Sequence, residues 1–210
     1  MAASHVLFCR YPDLTLLTFE TVYAGTLTAK RVGSLIELDF PGDKTYALEG
    51  DEAQEVIDAH LAACPELKQA KSLTAVQHRE GKILLADLAA GQRLASLKYD
   101  PSKVERLEGL MQAITSRAPA DDGEYDIHSR IFCPRAGIAE DSVTGSMHCS
   151  IACFWHDRYK VADEAIATEE KPLRALQASA RGGTLHLVVE GDRVKIRGNV
   201  VAVAEGVMRF

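Results

Sequence analysis

Apolar and polar residues alternate with different periods along the chain, and each period predicts a different element. Residues 1–8 are apolar and helix-compatible from the first position. Three strand-like runs follow. Residues 14–20 are rich in Thr, Leu and Phe, residues 26–32 return after a turn at Ala24-Gly25, and residues 35–40 alternate and stop at Pro41-Gly42. Their connections are too short for parallel crossovers, which predicts antiparallel sheet. Val56, Ile57, His60 and Leu61 then share one helical face, with Asp51 as cap, Gln54 as its partner in a weak capping box, and Pro65 at the end. Residues 75–78 and 82–88 predict a hairpin turning at Glu80-Gly81. A second amphipathic helix is expected over 104–114, with Leu107, Leu110, Met111 and Ile114 in register. Residues 119–123 read as a loop before a strand over 125–132.

The pattern changes again at 145–159. Met147, Ile151, Ala152, Phe154 and Trp155 place apolar groups nearly all round a helix, which predicts burial on most sides. After a tight turn at Gly182-Gly183, Leu185, Leu187 and Val189 alternate. Glu190-Gly191-Asp192 turns into a strand over 194–196, and residues 200–203 read as a last strand. Two blocks each pair hairpins with one apolar helix, an α+β arrangement without a repeat visible in residue identities.

Composition narrows the classes. The chain has 210 residues, 47% of them hydrophobic and 26% charged, which excludes a disordered or low-complexity protein. A domain of this size buries about 70% of its unfolded surface, enough for its own core. The net charge of −6, without a basic block, argues against nucleic acid and anionic membranes as partners. Five cysteines, odd in number and without a C-x-x-C pair, read as reduced thiols. No apolar run reaches the ~20 residues of a membrane helix, and the start lacks the features of a signal peptide, so the cytoplasm is the expected location.

The densest polar segment is 129–148. Here a strand runs into a Gly-containing loop, then Glu140-Asp141, then Thr144-Gly145-Ser146 at the mouth of the buried helix. Free amides at a helix N-terminus suit a carboxylate or phosphate. Asp141 can accept a proton or hold an ammonium, and Ser146 can donate and accept hydrogen bonds. The same residues also fit a plain helix cap, with Asp141 or Thr144 satisfying the first turn, and the two roles are compatible. His148, Cys149, Cys153 and His156 resemble zinc ligands, but one helix cannot wrap four ligands around a metal, so no metal is expected. Cys149 and His148 point about 100° apart and make a poor nucleophile pair. His5, His60, His78 and His186 are isolated and read as packed or solvated side chains.

At 126–155 the sequence resembles a known family. Ser129-Arg130, Pro134, Gly137-Ile138, Glu140-Asp141 and Val143-Thr144-Gly145-Ser146-Met147-His148 are similar to the phenazine-biosynthesis isomerase (PhzF-like) family. The likeness continues in 177–183, in 190–194 and in the Val-rich end closing with Glu205-Gly206. Upstream it includes Phe19-Glu20-Thr21 and 38–41. The resemblance implies the fold of diaminopimelate epimerase, in which two halves each wrap a mixed, mostly antiparallel sheet around a central helix. The central helices would be 2–8 and 145–159. The halves would be 1–66 with about 199–210, and 70–198. It implies a cofactor-independent isomerase or epimerase that moves a proton on a small amino- or hydroxy-carboxylic acid. Carried over by position, Asp141 is the catalytic acid, Ser146 a substrate-binding neighbour, and Thr144-Gly145 the helix mouth facing the cleft.

In the family a Gly-His pair sits immediately before the residues resembling 2–8, and the principal acid/base glutamate lies further upstream. The chain as read starts after both. Glu20 and Glu37 match no catalytic position. The expectation is therefore an isomerase with an incomplete first half and weak or no turnover. The alternatives are a non-catalytic relative that binds a small acid or a protein, and a structural domain whose 141–146 segment is only a cap. An incomplete half also predicts exposed sheet edges, and with them poor solubility or a homodimer.

Overall fold

The computed structural model describes residues 1–22, 25–78, 81–89, 92–161, 166–204 and 206. Ala24, Glu80 and Glu205, which the sequence pattern assigns to two turns and to the C-terminal likeness, lie outside the described residues, as do 207–210 of the expected first half. The chain opens with α1 (Ala2–Arg10) and a meander of β1 (Leu16–Thr21), β2 (Gly25–Val32) and β3 (Leu35–Pro41). Then come β4 (Tyr46–Ala47), α2 (Gly50–Ala63), β5 (Ser72–His78), β6 (Gly81–Asp87), β7 (Met111–Arg117) and β8 (Ile127–Phe132). The last elements are α3 (Gly145–Val161), β9 (Leu173–Gln177), β10 (Gly183–Glu190) and β11 (Arg193–Gly198).

Among the described residues, 11 strands form one mixed sheet in the order β1-β2-β3-β11-β10-β9-β8-β7-β6-β5-β4. Neighbours are antiparallel except β6 with β7 and β8 with β9. Together with the three helices this is an α+β fold. β5 to β11 all send residues into one core around α3, where Met147, Ile151, Ala152 and Trp155 are buried. The other face of β5–β8 packs under α2 and the coil at 94–107. β6 and β7 are covered on both faces, so burial along them is nearly continuous rather than alternating, and in β7 it includes the polar Gln112, Thr115 and Ser116.

That double burial explains why the helix expected over 104–114 does not form. Gly109 sits at φ +99°, outside the helical region, and the chain enters β7 two residues later. Leu110, assigned to the apolar helix face, is 53% exposed. The strand expected over 200–203 is also absent. β11 lies between β3 and β10, so neither of its sides is free to pair with these residues, and Val203 is 93% exposed. Asp51 does not cap α2, which starts at Gly50 after Glu49, with no side-chain cap bond. Asp51 lies in the first turn, where its charge favours the helix dipole, and Gln54 bonds Asp58 at 2.8 Å.

Two features bear on the expected halves. α2, on the first side of the division at 66–70, packs on β5 and β6, and the sheet runs without a break from β3 into β11. α1 buries only Ser4 and Phe8. It rests on the meander through Phe8, whose carbonyl accepts from Arg31 and whose ring faces the Arg31 guanidinium at 4.8 Å. Glu37 is buried in an ion pair with Arg197 at 2.6 Å, a structural role. After β3 the chain is tied to the rest by Gly42, whose N–H donates to Asp192 O at 2.7 Å. Asp43 beside it accepts from Ser150 of α3 at 2.8 Å, and His78 lies 3.5 Å from the same carboxylate oxygen. Half-buried Cys153 and Phe154 continue this side of α3, which is more open than an all-round apolar pattern predicts. Among the described residues, no helix is long and apolar enough to cross a membrane.

Candidate active site

β8 delivers the chain to the site. It carries Ser129 and Arg130 and ends in a short turn, Pro134–Ala136, closed by Gly137. The chain folds back so that Cys133 pairs with Ile138, and the Asp141 N–H donates to Ile131 O at 2.9 Å. Arg130 fixes the returning segment. Its guanidinium holds both Glu140 oxygens, at 2.7 and 2.9 Å, and donates to Leu97 O at 2.6 Å. Two parallel N–H···O bonds set an orientation as well as a distance.

Asp141 is half-buried. One carboxylate oxygen accepts from the Ser142 N–H at 2.8 Å and the other from the Thr144 hydroxyl at 2.5 Å. Thr144 is buried, and its N–H donates to Gln177 Oε1 at 2.7 Å. The Gln177 Nε2 donates to Asp141 O, also at 2.7 Å. The Thr144 carbonyl meets His148 Nδ1 at 2.6 Å. A carbonyl only accepts, so Nδ1 carries the proton, and Nε2 accepts from the Ser129 hydroxyl at 3.0 Å. Burial pulls the His148 pKa down to about 4, against a smaller opposite pull from the Thr144 carbonyl, so the ring is neutral near pH 7.

These bonds leave the helix mouth open. A β-carbon built on Gly145 would meet nothing within 4 Å, and Ser146 is exposed. Among the described residues, the Gly145 and Ser146 amides find no acceptor. Beside the mouth, a β-carbon on Gly183 would lie 2.2 Å from Val143 Cγ2. The Gly182-Gly183 turn is thus packed on the 141–144 loop, with Ser179 donating to Ser142 O at 2.8 Å.

The structure brings Asp141, Thr144, Gly145 and Ser146 together at one end of α3. Thr144 has its polar atoms engaged internally, whereas Gly145 and Ser146 face outward. None of the four lines the cavities of about 440, 510 and 660 Å³ described elsewhere on the chain. The ligand-like set on α3 does not converge. Both His148 nitrogens are engaged, Cys149 approaches Gly145 O at 3.7 Å, and His156 bonds Ile166 O at 3.0 Å. Gln177, Ser129 and His148 hold the site, yet spacing assigns them no role there. The available signal is Gln177 at a strand end, five residues before the Gly182-Gly183 turn.

Residues 1–206 match the family described as phenazine biosynthesis-like protein (PhzC-PhzF). The chain is 31% identical over 216 residues to phenazine biosynthesis-like domain-containing protein 1 of Mus musculus, covering 99% of this chain and 70% of that protein. It is 33% identical over 187 residues to an uncharacterized isomerase of Halalkalibacterium halodurans, covering 89% of this chain and 62% of that one. A solved PhzC/PhzF protein from Clostridium difficile superposes with a TM-score of 0.74 at 25% identity, over 100% of this chain and 71% of that one. A PhzF family protein of Enterococcus faecalis gives 0.71 at 25% identity, over 94% and 66%. With a match along almost its whole length, the chain belongs to the phenazine biosynthesis-like (PhzC-PhzF) family.

Proposed function

We propose that this chain supplies one wall of a proton-transfer cleft in a cofactor-independent isomerase or epimerase acting on a small amino- or hydroxy-carboxylic acid. In this reading the open amides of Gly145 and Ser146 receive the substrate carboxylate, and Asp141 exchanges a proton with the substrate's α-carbon. The division into two halves like those of diaminopimelate epimerase, 1–66 with about 199–210 and 70–198, belongs to the same proposal. The observation that carries it is the pairing of an unfilled helix mouth with a carboxylate held still beside it. Fixed donors aimed where negative charge gathers are the most effective form of electrostatic stabilisation. A general base must also sit within hydrogen-bond reach of its proton.

A second reading has its own support. Both Asp141 oxygens already accept local hydrogen bonds, which suits a residue that shapes a binding surface without transferring a proton. One experiment separates the two. The chain is titrated in D2O with small acids, lactate and serine among them. Amide signals of Gly145 and Ser146 report binding, and deuterium at the acid's α-carbon reports proton transfer. We expect shifted amides and slow deuterium uptake, lost in Asp141→Asn. Shifted amides without uptake select the binding relative, and amides unmoved by every acid remove both readings.

A further inference from the structure

We infer that Gln177 is a positioning residue, whose side-chain amide holds the 141–144 turn open and so sets Asp141 and the Gly145 helix mouth in one frame. The inference rests on reading Asp141 as the proton-transfer group of this site.

Asp141 O and Thr144 N–H are the two groups that ordinarily bond directly, from residue i to residue i+3, to close a β-turn. Here they do not meet. The Gln177 amide stands between them, donating to the first and accepting from the second, each at 2.7 Å. It lengthens the turn by the width of an amide group. The wider turn lets the Asp141 side chain fold back to the Ser142 N–H and the Thr144 hydroxyl. It also takes the Thr144 N–H out of the helix mouth, leaving Gly145 and Ser146 to face outward.

Gln177 is suited to this and to little else. It is 0% exposed, at the last position of β9, and burying a glutamine costs both rotamer freedom and desolvation unless each end is bonded. Neither end is spare. Its backbone is fixed by pairing with Ser129 on one side and Gly183 on the other. Ser129 in turn bonds His148, which holds the Thr144 carbonyl, so three elements converge on one loop residue. A group held this way works through the residue it orients, where a displacement of ~1 Å can cost about a hundredfold in rate.

The inference is tested with two variants of the 210-residue chain. Gln177→Met keeps the length and removes both hydrogen bonds. Gln177→Glu keeps the acceptor, and when protonated it regains a donor, so a buried acid restores the bracket as the pH falls. Two readouts are followed from pH 8 to pH 5, the Thr144 and Gly145 amide shifts and deuterium uptake by the acid that the unsubstituted chain exchanges best. We expect Gln177→Met to lose at least tenfold in kcat with KM within threefold, at every pH. Gln177→Glu should match it at pH 8 and return toward the parent, in shifts and in rate, at pH 5. A Gln177→Met chain with parental shifts and parental kcat overturns the inference, as does a Gln177→Glu chain whose defect ignores pH. If the parent itself exchanges no acid, the Asp141 reading has failed. The shifts alone then decide whether Gln177 holds the turn.

Discussion

The two ends of the sheet are built to different standards. Around α3, seven strands contribute to one core, and Trp155 is both fully buried and hydrogen-bonded, its indole N–H donating to Thr115 at 3.0 Å. Around α1, the buried apolar cluster among the described residues is Phe8, Ala29 and Ile36, while Val6, Tyr11, Leu14, Leu16 and Val22 stand in solvent. Among the described residues, the hydrogen-bond partners of Asp141 come from the first region: β8, β9 and the loop that leads into α3. The contrast predicts that the geometry of the site does not depend on how well the meander is covered. Substitutions in the meander should change stability and association while leaving the site intact.

The largest effect tests that separation directly. Trp155→Ala removes the centre of the α3 core and should cost about 4 kcal/mol, within the range for large aromatic truncations. Phe8→Ala should cost about half as much, because the thin shell around it collapses into the gap, and the Gly145 and Ser146 amide signals should stay in place. Urea denaturation of both variants, with spectra of the second, checks the pair. Shifted site signals in Phe8→Ala would show the two regions to be coupled.

Acid acts on the well-packed region next. Burial lowers the His148 pKa to about 4 and that of His60 to about 3, from an ordinary 6.5. The unfolded chain therefore takes up protons below about pH 6.5 that the folded chain refuses. The stability held by the neutral rings is complete above that pH and is lost as the pH falls toward 4. For His148 the loss is about 3 kcal/mol. Urea midpoints at pH 7 and pH 4.5 measure it, and His148→Gln should flatten the slope in this window.

How much of this was readable in advance varied with the range of the interactions. The meander, the hairpin of β5 and β6, the 119–123 loop and the buried helix at 145 all follow from local periods and turn residues. β7 does not. Met111 and Ile114 fit a helical face as well as a strand, and what decides is a parallel partner, β6, whose Gly81 pairs with Met111. The site divides the same way. Asp141, Thr144 and the helix mouth are legible as a cap within a few residues. Gln177 bonds Asp141 from 36 positions away, and no local pattern carries that.

The smallest effect on stability, and the sharpest test of the exposed end, concerns β1. It is the outer strand of the sheet, and Leu16–Thr21 contains neither Lys nor Pro to discourage a neighbour. Thr18→Lys should change stability by no more than about 0.5 kcal/mol while lowering self-association in light scattering. A parent chain that stays monomeric at high concentration would mean that the edge is already protected.

The pairing of β3 with β11 has a consequence for how this protein is made. Pro41 finds its partner, Arg193, about 150 residues later, so the first strands leave the ribosome long before the strand that anchors them. At ~5–20 residues per second the wait is on the order of ten seconds or more. Through that interval the nascent meander has one finished edge fewer than it will have in the end. Chaperones that recognise unpaired strands during translation would meet it there, before β11 is made.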